Sequence, residues 1–181
     1  MNFNWKNKNK IAGFTVLELM VVIGIMVMML VLTVPNFKSF DRSQILEGEA
    51  DKLFSILRQA QIWALTGQTV SATRYNFGAY FLKCTSAPGC NYIFFKDVLG
   101  GNKTYDVGEA YGLGSITISK GVYVSNIKKG SDATRTSLNI VFEVPTGKVY
   151  FDGVAAAGNT VEITLTSSLS GRSRIISVNG D

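Results

Sequence analysis

The feature that most constrains this chain is an apolar run of 21 residues near its N-terminus, residues 14–34, with the sequence FTVLELMVVIGIMVMMLVLTV. Glu18 is the single charged residue in the run. A helix of this length spans about 31 Å, which is close to the hydrocarbon thickness of a bilayer. Residues 1–13 carry three lysines and no acidic residue. We therefore expect the N-terminus to remain cytoplasmic and the chain after residue 34 to be translocated.

Two simpler interpretations of this run are a secretory signal peptide and a plain membrane anchor. A signal peptide has an apolar core of about 7–15 residues with a small-residue cleavage site behind it, whereas this run is longer and is followed by Pro35, Asn36 and Phe37. A plain anchor has no need of Glu18, because a carboxylate in a spanning helix costs about 2.5–3.5 kcal/mol on insertion scales. We therefore expect Glu18 to have a partner, and a plain anchor remains the alternative.

The segment around this acidic residue, residues 13–20, reads Gly-Phe-Thr-Val-Leu-Glu-Leu-Met. It resembles the cleavage and methylation site of type IV prepilins and pseudopilins, in which a Gly, a Phe and a Glu four residues after the Phe open an apolar run. Pro35 matches a common position of a helix kink in that family. The resemblance implies that a prepilin peptidase cuts after Gly13 and N-methylates Phe14.

The resemblance also suggests a role for Glu18 in subunit assembly. Cleavage after Gly13 would create a new amine on Phe14, and the amine of one helix can meet Glu18 of a neighbour when subunits stack. In a low dielectric this pairing is strong and either partner left alone is penalised, so it favours one axial register. Gly24 and Pro35 are positions where the helix could loosen or bend, although a tolerated glycine and an interfacial proline are the simpler interpretation.

A helical pattern continues through residues 35–67. Polar residues such as Glu47 and Glu49 alternate with an apolar stripe at helical spacing, and Ile56 and Trp63 widen that stripe. The sequence Thr-Gly-Gln at 66–68 predicts the end of the helix. We expect this half to cover a globular body rather than to enter lipid. The stripe consists of Leu46, Ala50, Leu53, Leu57, Ala60 and Ala64.

Short β-like runs separated by Gly-containing turns occupy residues 68–181. The alternation of apolar and polar residues over 115–119 and 161–165 indicates half-buried antiparallel strands, and residues 99–113 predict a loop. The chain thus divides into a leader (1–13), a transmembrane or filament-core helix (14–34), an amphipathic continuation (35–67) and a β-rich domain (68–181). The predicted fold class is α+β, with a long N-terminal spine helix packed on one antiparallel β-sheet.

The order of these parts resembles that of the H-type minor pseudopilins of type II secretion and of the FimT-type minor pilins. In that group the segment LFSILRQAQIWALTGQTV would be the spine helix leading into the first strand. The segments YIFFKD and FEVPTGKVYF also resemble the later β region of the group. This second resemblance rests on spacing and residue type.

Cys84 and Cys90 enclose Thr-Ser-Ala-Pro-Gly, in which Pro88-Gly89 suits a reversing turn between two extended segments. A translocated body would meet an oxidising compartment, where disulfides persist, so we expect these cysteines to pair. Two free thiols are the alternative.

Arg172 and Arg174 lie in the sequence Gly-Arg-Ser-Arg near the C-terminus. Residues two apart on a strand face the same side, so both guanidinium groups could grip a DNA backbone without reading its sequence. The resemblance adds that some FimT-type minor pilins use a C-terminal Gly-Arg-x-Arg motif in DNA uptake. A solvated basic face, or pairing with an acid on another subunit, is the alternative.

An acidic loop is a candidate calcium site, but the sequence spacing of its polar residues is poor for a cation that needs six or more closely placed oxygens. We therefore expect a solvated loop and no metal. Its polar members are Asp97, Asn102, Asp106 and Glu109.

Composition argues against an enzyme. The chain has no histidine, which removes the commonest general base, the His-activated nucleophiles and all imidazole metal sites. Two cysteines cannot form a four-ligand zinc site by themselves. The formal charge of +5 falls to +2 without residues 1–13, leaving 15 basic and 13 acidic residues, which is weak support for a nucleic-acid partner. We expect no catalysis and no cofactor.

Two functional hypotheses follow from the resemblance. The first is a structural subunit, a minor pilin or pseudopilin, of a type IV pilus-like filament or a type II secretion pseudopilus. Its partners would be other pilin or pseudopilin subunits, the prepilin peptidase and the inner membrane. The alternative is a FimT-like minor pilin that binds extracellular DNA. The chain would be a single-pass cytoplasmic membrane protein with an extracytoplasmic body, and after assembly part of a periplasmic or extracellular filament.

Overall fold

The computed structural model describes residues 13–86, 89–98, 101–119, 121–131 and 134–180, and within residues 34–42 it describes the backbone but not the side chains. The predicted leader lies outside the described residues except for its last residue, Gly13, and so does Pro88 of the predicted turn. The chain divides into two compact units, Met1–Ser39 and Phe40–Asp181.

A long α-helix, α1, extends over Val16–Thr66 and includes both Gly24 and Pro35. It ends where the sequence predicts a stop, because Gly67 adopts a positive φ of 66°. Its N–H then bonds to the carbonyl of Ala64 at 3.2 Å. Glycine suits this position because a left-handed conformation carries no Cβ penalty there.

The apolar side chains of α1 that the structure describes within the first unit, between Val16 and Leu32, are exposed. The segment Val16–Thr33 has a mean hydropathy of 2.7, and none of it is buried inside the structure. Its length and composition suffice to cross a membrane, and a signal sequence near an N-terminus has the same properties. The described residues therefore contain one N-terminal segment that is able to serve as a membrane anchor or a signal sequence.

The second unit contains the β-structure. The described residues form ten strands in two antiparallel sheets. The larger sheet has the order β4-β3-β2-β6-β7-β8, with β1 paired to β2, and the smaller has the order β10-β9-β5. The strands are β1 (Thr69–Val70), β2 (Thr73–Leu82), β3 (Asn91–Val98), β4 (Ala110–Thr117), β5 (Val122–Lys129), β6 (Ser137–Phe142), β7 (Val149–Phe151), β8 (Val154–Ala155), β9 (Thr160–Ser167) and β10 (Ser173–Asn179).

This architecture agrees with the predicted α+β class and corrects the prediction of a single sheet. The chain turns between β4 and β5, where Val122 N–H bonds to the Ser119 carbonyl and Gly121 has a φ of 88°. After the turn, β5 pairs with β9 instead of β4. The prediction of a loop over 99–113 is wrong at its end, because β4 already begins at Ala110.

The core of the second unit combines helix and strand side chains. The six residues of the predicted stripe are all buried, and they belong to one hydrophobic cluster with residues of both sheets. Trp63 meets Phe77 and Phe94 edge to face, with ring centroids 5.2 and 5.4 Å apart. The alternating burial predicted for 161–165 holds along all of β9. The 3.6- and 2-residue periods in the sequence therefore identify the buried faces correctly.

Glu49 contradicts the prediction that it lies on a polar face of α1. It is only 7% exposed, and its Oε1 accepts a hydrogen bond of 2.5 Å from the Ser119 hydroxyl. Lys52 approaches the same oxygen at 3.8 Å. The carboxylate is buried because the segment after β4 crosses this face of the helix, a tertiary contact that helical spacing cannot reveal.

Candidate functional site

The predicted cleavage site lies at the start of α1. Gly13 and Phe14 precede the helix and have no regular secondary structure. Phe14 is 77% exposed, and apart from the adjacent residues no heavy atom that the structure describes lies within 4 Å of the point where a Cβ on Gly13 would stand. Exposed, irregular backbone next to a small residue is a favourable substrate for proteolysis. The junction is therefore accessible in the described part of the chain.

Glu18 occupies the first turn of α1, four residues after Phe14. Its backbone N–H donates to the hydroxyl of Thr15 at 3.2 Å, so Thr15 caps the helix. A carboxylate in this turn is also favoured by the helix dipole. This cap is not among the features predicted above, although Thr followed three residues later by Glu is the usual signature of a helix start.

The structure joins Cys84 and Cys90 by a disulfide, with their Cα atoms 6.0 Å apart. The two cysteines follow β2 and precede β3, so the bond closes this hairpin. Cys84 N–H also bonds to the carbonyl of Val124 in β5 at 3.0 Å, and the Cys90 carbonyl accepts from Ile118 N–H at 2.9 Å. The closed hairpin end therefore contacts the smaller sheet as well as its own.

Arg172 and Arg174 extend from the start of β10 towards the same face of α1. Arg172 Nη1 donates to the hydroxyl of Ser43 at 2.9 Å, and Arg174 Nε lies 3.4 Å from Glu47 Oε2. Ser43 and Glu47 are one helical turn apart, so the two guanidinium groups stand side by side. The acid that pairs with Arg174 belongs to the same chain, and both residues of this pair remain more than half exposed.

The acidic loop does not bring its four polar residues together as ligands of one cation. Asp97 is 1% exposed and accepts a hydrogen bond of 3.1 Å from Asn76 Nδ2. Asp106 instead accepts from Asn102 at 3.0 Å, and Glu109 accepts from the N–H of Asp106 at 2.9 Å. Among the described residues, no group of three or more His, Cys, Asp or Glu side chains has an arrangement that could hold a metal ion.

Burial dominates the electrostatics of this loop. It raises the pKa of Asp97 above its usual value, although the hydrogen bond from Asn76 opposes the shift. It also raises the pKa of Glu109, and the neighbouring charges of Asp97 and Asp106 add to that shift. Both carboxyl groups therefore hold their protons more tightly in the folded chain than in the unfolded one.

A lysine fastens the same loop to the larger sheet. Lys103 Nζ lies 2.6 Å from Glu143 Oε1 and 3.6 Å from the centroid of the Tyr150 ring. The hydrogen bond from Lys103 lowers the pKa of Glu143. Burial alone would lower the pKa of Lys103, but the bonds to Glu143 and Tyr150 raise it overall. The pair is charged and contributes to holding the loop in place.

Two polar side chains whose proximity the sequence did not reveal, Glu49 and Tyr92, lie inside the core. Glu49 Oε2 and the Tyr92 hydroxyl are both buried without a hydrogen-bond partner among the described atoms. Burial and, to a lesser extent, the charge of Glu49 raise the pKa of Tyr92. Helical and strand spacing alone would place Glu49 outside and Tyr92 inside, so no local signal indicated that they influence each other.

Comparisons of the chain with protein-family models, with curated proteins and with solved structures give no match.

Proposed function

We propose that this chain is a structural subunit, a minor pilin or pseudopilin, of a type IV pilin-like filament. The observation that carries the proposal is the exposed apolar segment Val16–Thr33 at the start of α1. It directly follows an accessible Gly13-Phe14 junction and contains Glu18 in its first turn. A charge in an otherwise apolar span is costly unless a partner neutralises it. The amine that cleavage would create on a neighbouring Phe14 is a suitable partner.

In this proposal α1 is the spine of the subunit. Its first half lies in the cytoplasmic membrane before assembly and in the filament core afterwards. Its second half packs on the β-sheets, which the buried stripe and the contact between Trp63 and Phe77 support. The partners are other pilin or pseudopilin subunits, and the processing enzyme is a prepilin peptidase. The body lies outside the cytoplasm, where the disulfide between Cys84 and Cys90 is stable.

Processing tests this function directly. Co-expression of the full chain with a prepilin peptidase should yield a product that begins at N-methylated Phe14, measured by intact mass and N-terminal peptide analysis. A Gly13→Val variant is the matched control, because it blocks the small-residue site and leaves the apolar segment unchanged. An uncut chain, or cleavage after residue 35 as for a signal peptide, would exclude the proposal.

DNA binding is a second candidate function, and the observation that favours it is the placement of Arg172 and Arg174. Their contacts with Ser43 and Glu47 hold two guanidinium groups side by side on an exposed surface. Guanidinium groups bind phosphate oxygens through paired hydrogen bonds. A phosphate backbone would compete with Glu47 for Arg174, and an exposed ion pair of this kind is worth only about 0–1 kcal/mol.

The DNA hypothesis predicts binding that is independent of sequence and falls steeply with salt. Residues 41–181 should retard double-stranded DNA at low ionic strength in a gel-shift assay. Changing both Arg172 and Arg174 to Ala should weaken binding and flatten the salt slope by about two units, one for each phosphate that an arginine no longer neutralises. A control with Arg74→Ala and Lys128→Ala removes the same charge elsewhere on the exposed surface. Failure of the unmodified domain to bind would leave the filament role alone.

A further inference from the structure

One exposed loop carries a protruding apolar side chain on a rigid base. Val107 is 98% exposed and stands at the apex of a tight turn over residues 106–109. Gly108 has a φ of 107°, and Glu109 N–H bonds back to the Asp106 carbonyl at 3.1 Å. Asp106 N–H also donates to the Glu109 carboxylate at 2.9 Å. The turn thus presents one valine between two carboxylates.

The base of this loop is held on the outer face of the larger sheet. Tyr105 stacks on Tyr80 and meets Phe95 edge to face, with both ring centroids 5.4 Å away. Its N–H donates to Asn139 Oδ1 at 2.9 Å, and Lys103 is tied to the sheet by its ion pair. A side chain on such a base loses little conformational freedom on binding, which makes it a favourable anchor for a partner.

The helix side of the same unit contains a groove between α1 and β10, with a cavity of about 340 Å³. Phe54 in this groove is 55% exposed. Arg58 stands exposed at its rim and has no ion-pair partner among the described residues. The apolar side chains of this groove and its one guanidinium group complement a valine that is flanked by carboxylates. The lining of the groove is mixed, with the apolar Leu57, Phe142 and Val149 beside Phe54, and the polar Gln61, Ser177 and Asn179 beside Arg58.

The valine turn and the groove lie on opposite faces of the larger sheet. Tyr80, under the loop, and Phe77, under α1, are three residues apart on β2, so their side chains point in opposite directions. Phe142 of the groove pairs with Phe77 in the ladder and shares its face. The turn therefore cannot reach the groove of its own molecule. The groove can instead receive the valine turn of a second copy. In such a pair, one copy still has a free groove and the other still has a free turn.

We infer that Val107 of one copy of this chain inserts into the groove between α1 and β10 of the next copy, with Asp106 and Glu109 facing Arg58. The contact joins two different surfaces, so it propagates into a chain of subunits instead of closing a dimer. The inference rests on the proposed filament function, and it requires consecutive copies of this chain to be neighbours in the filament. One valine buries far less than the roughly 1,200–2,000 Å² of a stable interface, so the contact sets the position of bodies that helix packing has already brought together.

Cysteine cross-linking of the full chain in membranes tests this contact. A chain with Val107→Cys and Gln61→Cys should form a ladder of dimers, trimers and larger products with a short bifunctional maleimide. Either substitution alone should give nothing beyond dimers. The control pair Val107→Cys with Lys128→Cys places the second thiol at an exposed position of β5 and should reduce the ladder by about tenfold or more. The native cysteines are paired and do not react.

Arg58→Glu in the double-cysteine chain should also reduce the ladder by about tenfold, because it places a like charge opposite the carboxylates, whereas Arg58→Lys should preserve most of it. Absence of the ladder, an equal ladder from the control pair, or cross-linking of Val107→Cys to a different protein would each overturn the inference. The proposed function is judged separately, by cleavage after Gly13. A processed chain without a ladder would refute this contact alone, and a ladder from an uncleavable chain would support the contact and refute the function.

Discussion

At the scale of single residues, the burial of a side chain depends on which distant segments of the chain pack against it. Glu49 lies among polar positions of α1, yet Ser119, 70 residues away, covers it and donates a hydrogen bond. Asp97 is likewise buried, and it accepts a hydrogen bond from Asn76 on the neighbouring strand. Buried carboxyl groups reduce stability when they are charged, because they lose hydration that one or two hydrogen bonds do not fully replace.

Asp97→Asn should therefore stabilise the protein at neutral pH. Asn carries no charge and keeps an acceptor for the Asn76 amide, and removal of the buried charge outweighs loss of the hydrogen bond from the Lys103 backbone N–H. Burial raises the pKa of Asp97 in the folded chain above its usual value of 3.8. The folded state thus binds this proton more tightly, and the free energy of unfolding of the wild type rises as pH falls from the raised pKa towards 3.8. The difference in free energy of unfolding between Asp97→Asn and the wild type should therefore decrease over this pH range.

Urea unfolding of the two proteins at a series of pH values measures this difference. The slope of each unfolding curve with urea should be the same for both, which shows that the variant has not altered the folded state. Two stability profiles that run parallel from neutral to acidic pH would contradict the assignment of a raised pKa to Asp97.

At the scale of elements, the hairpin of β2 and β3 links the two sheets. Its strands belong to the larger sheet, while its closed end bonds through Cys84 N–H to Val124 of β5 in the smaller sheet. The disulfide fixes the geometry of this end over a sequence separation of 6 residues. Its loss should therefore affect the junction between the sheets more than the interior of either sheet.

Replacing both Cys84 and Cys90 with Ser should lower the free energy of unfolding by about 2 kcal/mol, near the lower end for a disulfide because the closed loop is short. Amide exchange of this variant should accelerate at residue 84 and at Ile118 and remain slow at Phe77 in the centre of β2. The wild type in reductant should match the variant, and reductant should leave the variant unchanged. If reductant leaves the wild type unchanged, the cysteines are not oxidised in the isolated protein.

At the scale of the whole molecule, the chain combines a compact body in Phe40–Asp181 with an apolar segment, Val16–Thr33, that is exposed along its length. A soluble monomer would not keep so much contiguous apolar surface in water, so the segment is suited to a membrane anchor or a signal sequence. The charge of Glu18 within this surface is compatible with insertion but favours a specific partner over lipid alone.

Glu18→Ala should leave membrane insertion intact or improved, because it removes a costly charge, and should reduce filament incorporation by about tenfold or more. Breaking a buried ion pair by removing one partner costs about 3–5 kcal/mol. The cap on α1 survives, since Thr15 accepts from the backbone N–H of residue 18. Quantitative blotting of membrane and sheared-filament fractions measures both effects.

Glu47→Ala is the control for this experiment, because it removes an acid from α1 outside the apolar segment and should enter filaments normally. Incorporation of Glu18→Ala at the wild-type level would show that the carboxylate does not set the register of the helices.

The sequence by itself determined the features that depend on residues close together in the chain. Periodicity identified the buried stripe of α1 and the inward faces of β9, and Gly67 marked the end of the helix, because each reflects local backbone geometry. Tertiary structure decided the rest. The turn at Gly121 directs β5 to a separate sheet with β9, and the folding of the chain brings Arg172 within 2.9 Å of Ser43, 129 residues away. Such pairings depend on the shape of the complete core, in which every strand competes for the same partners, and no local pattern encodes them.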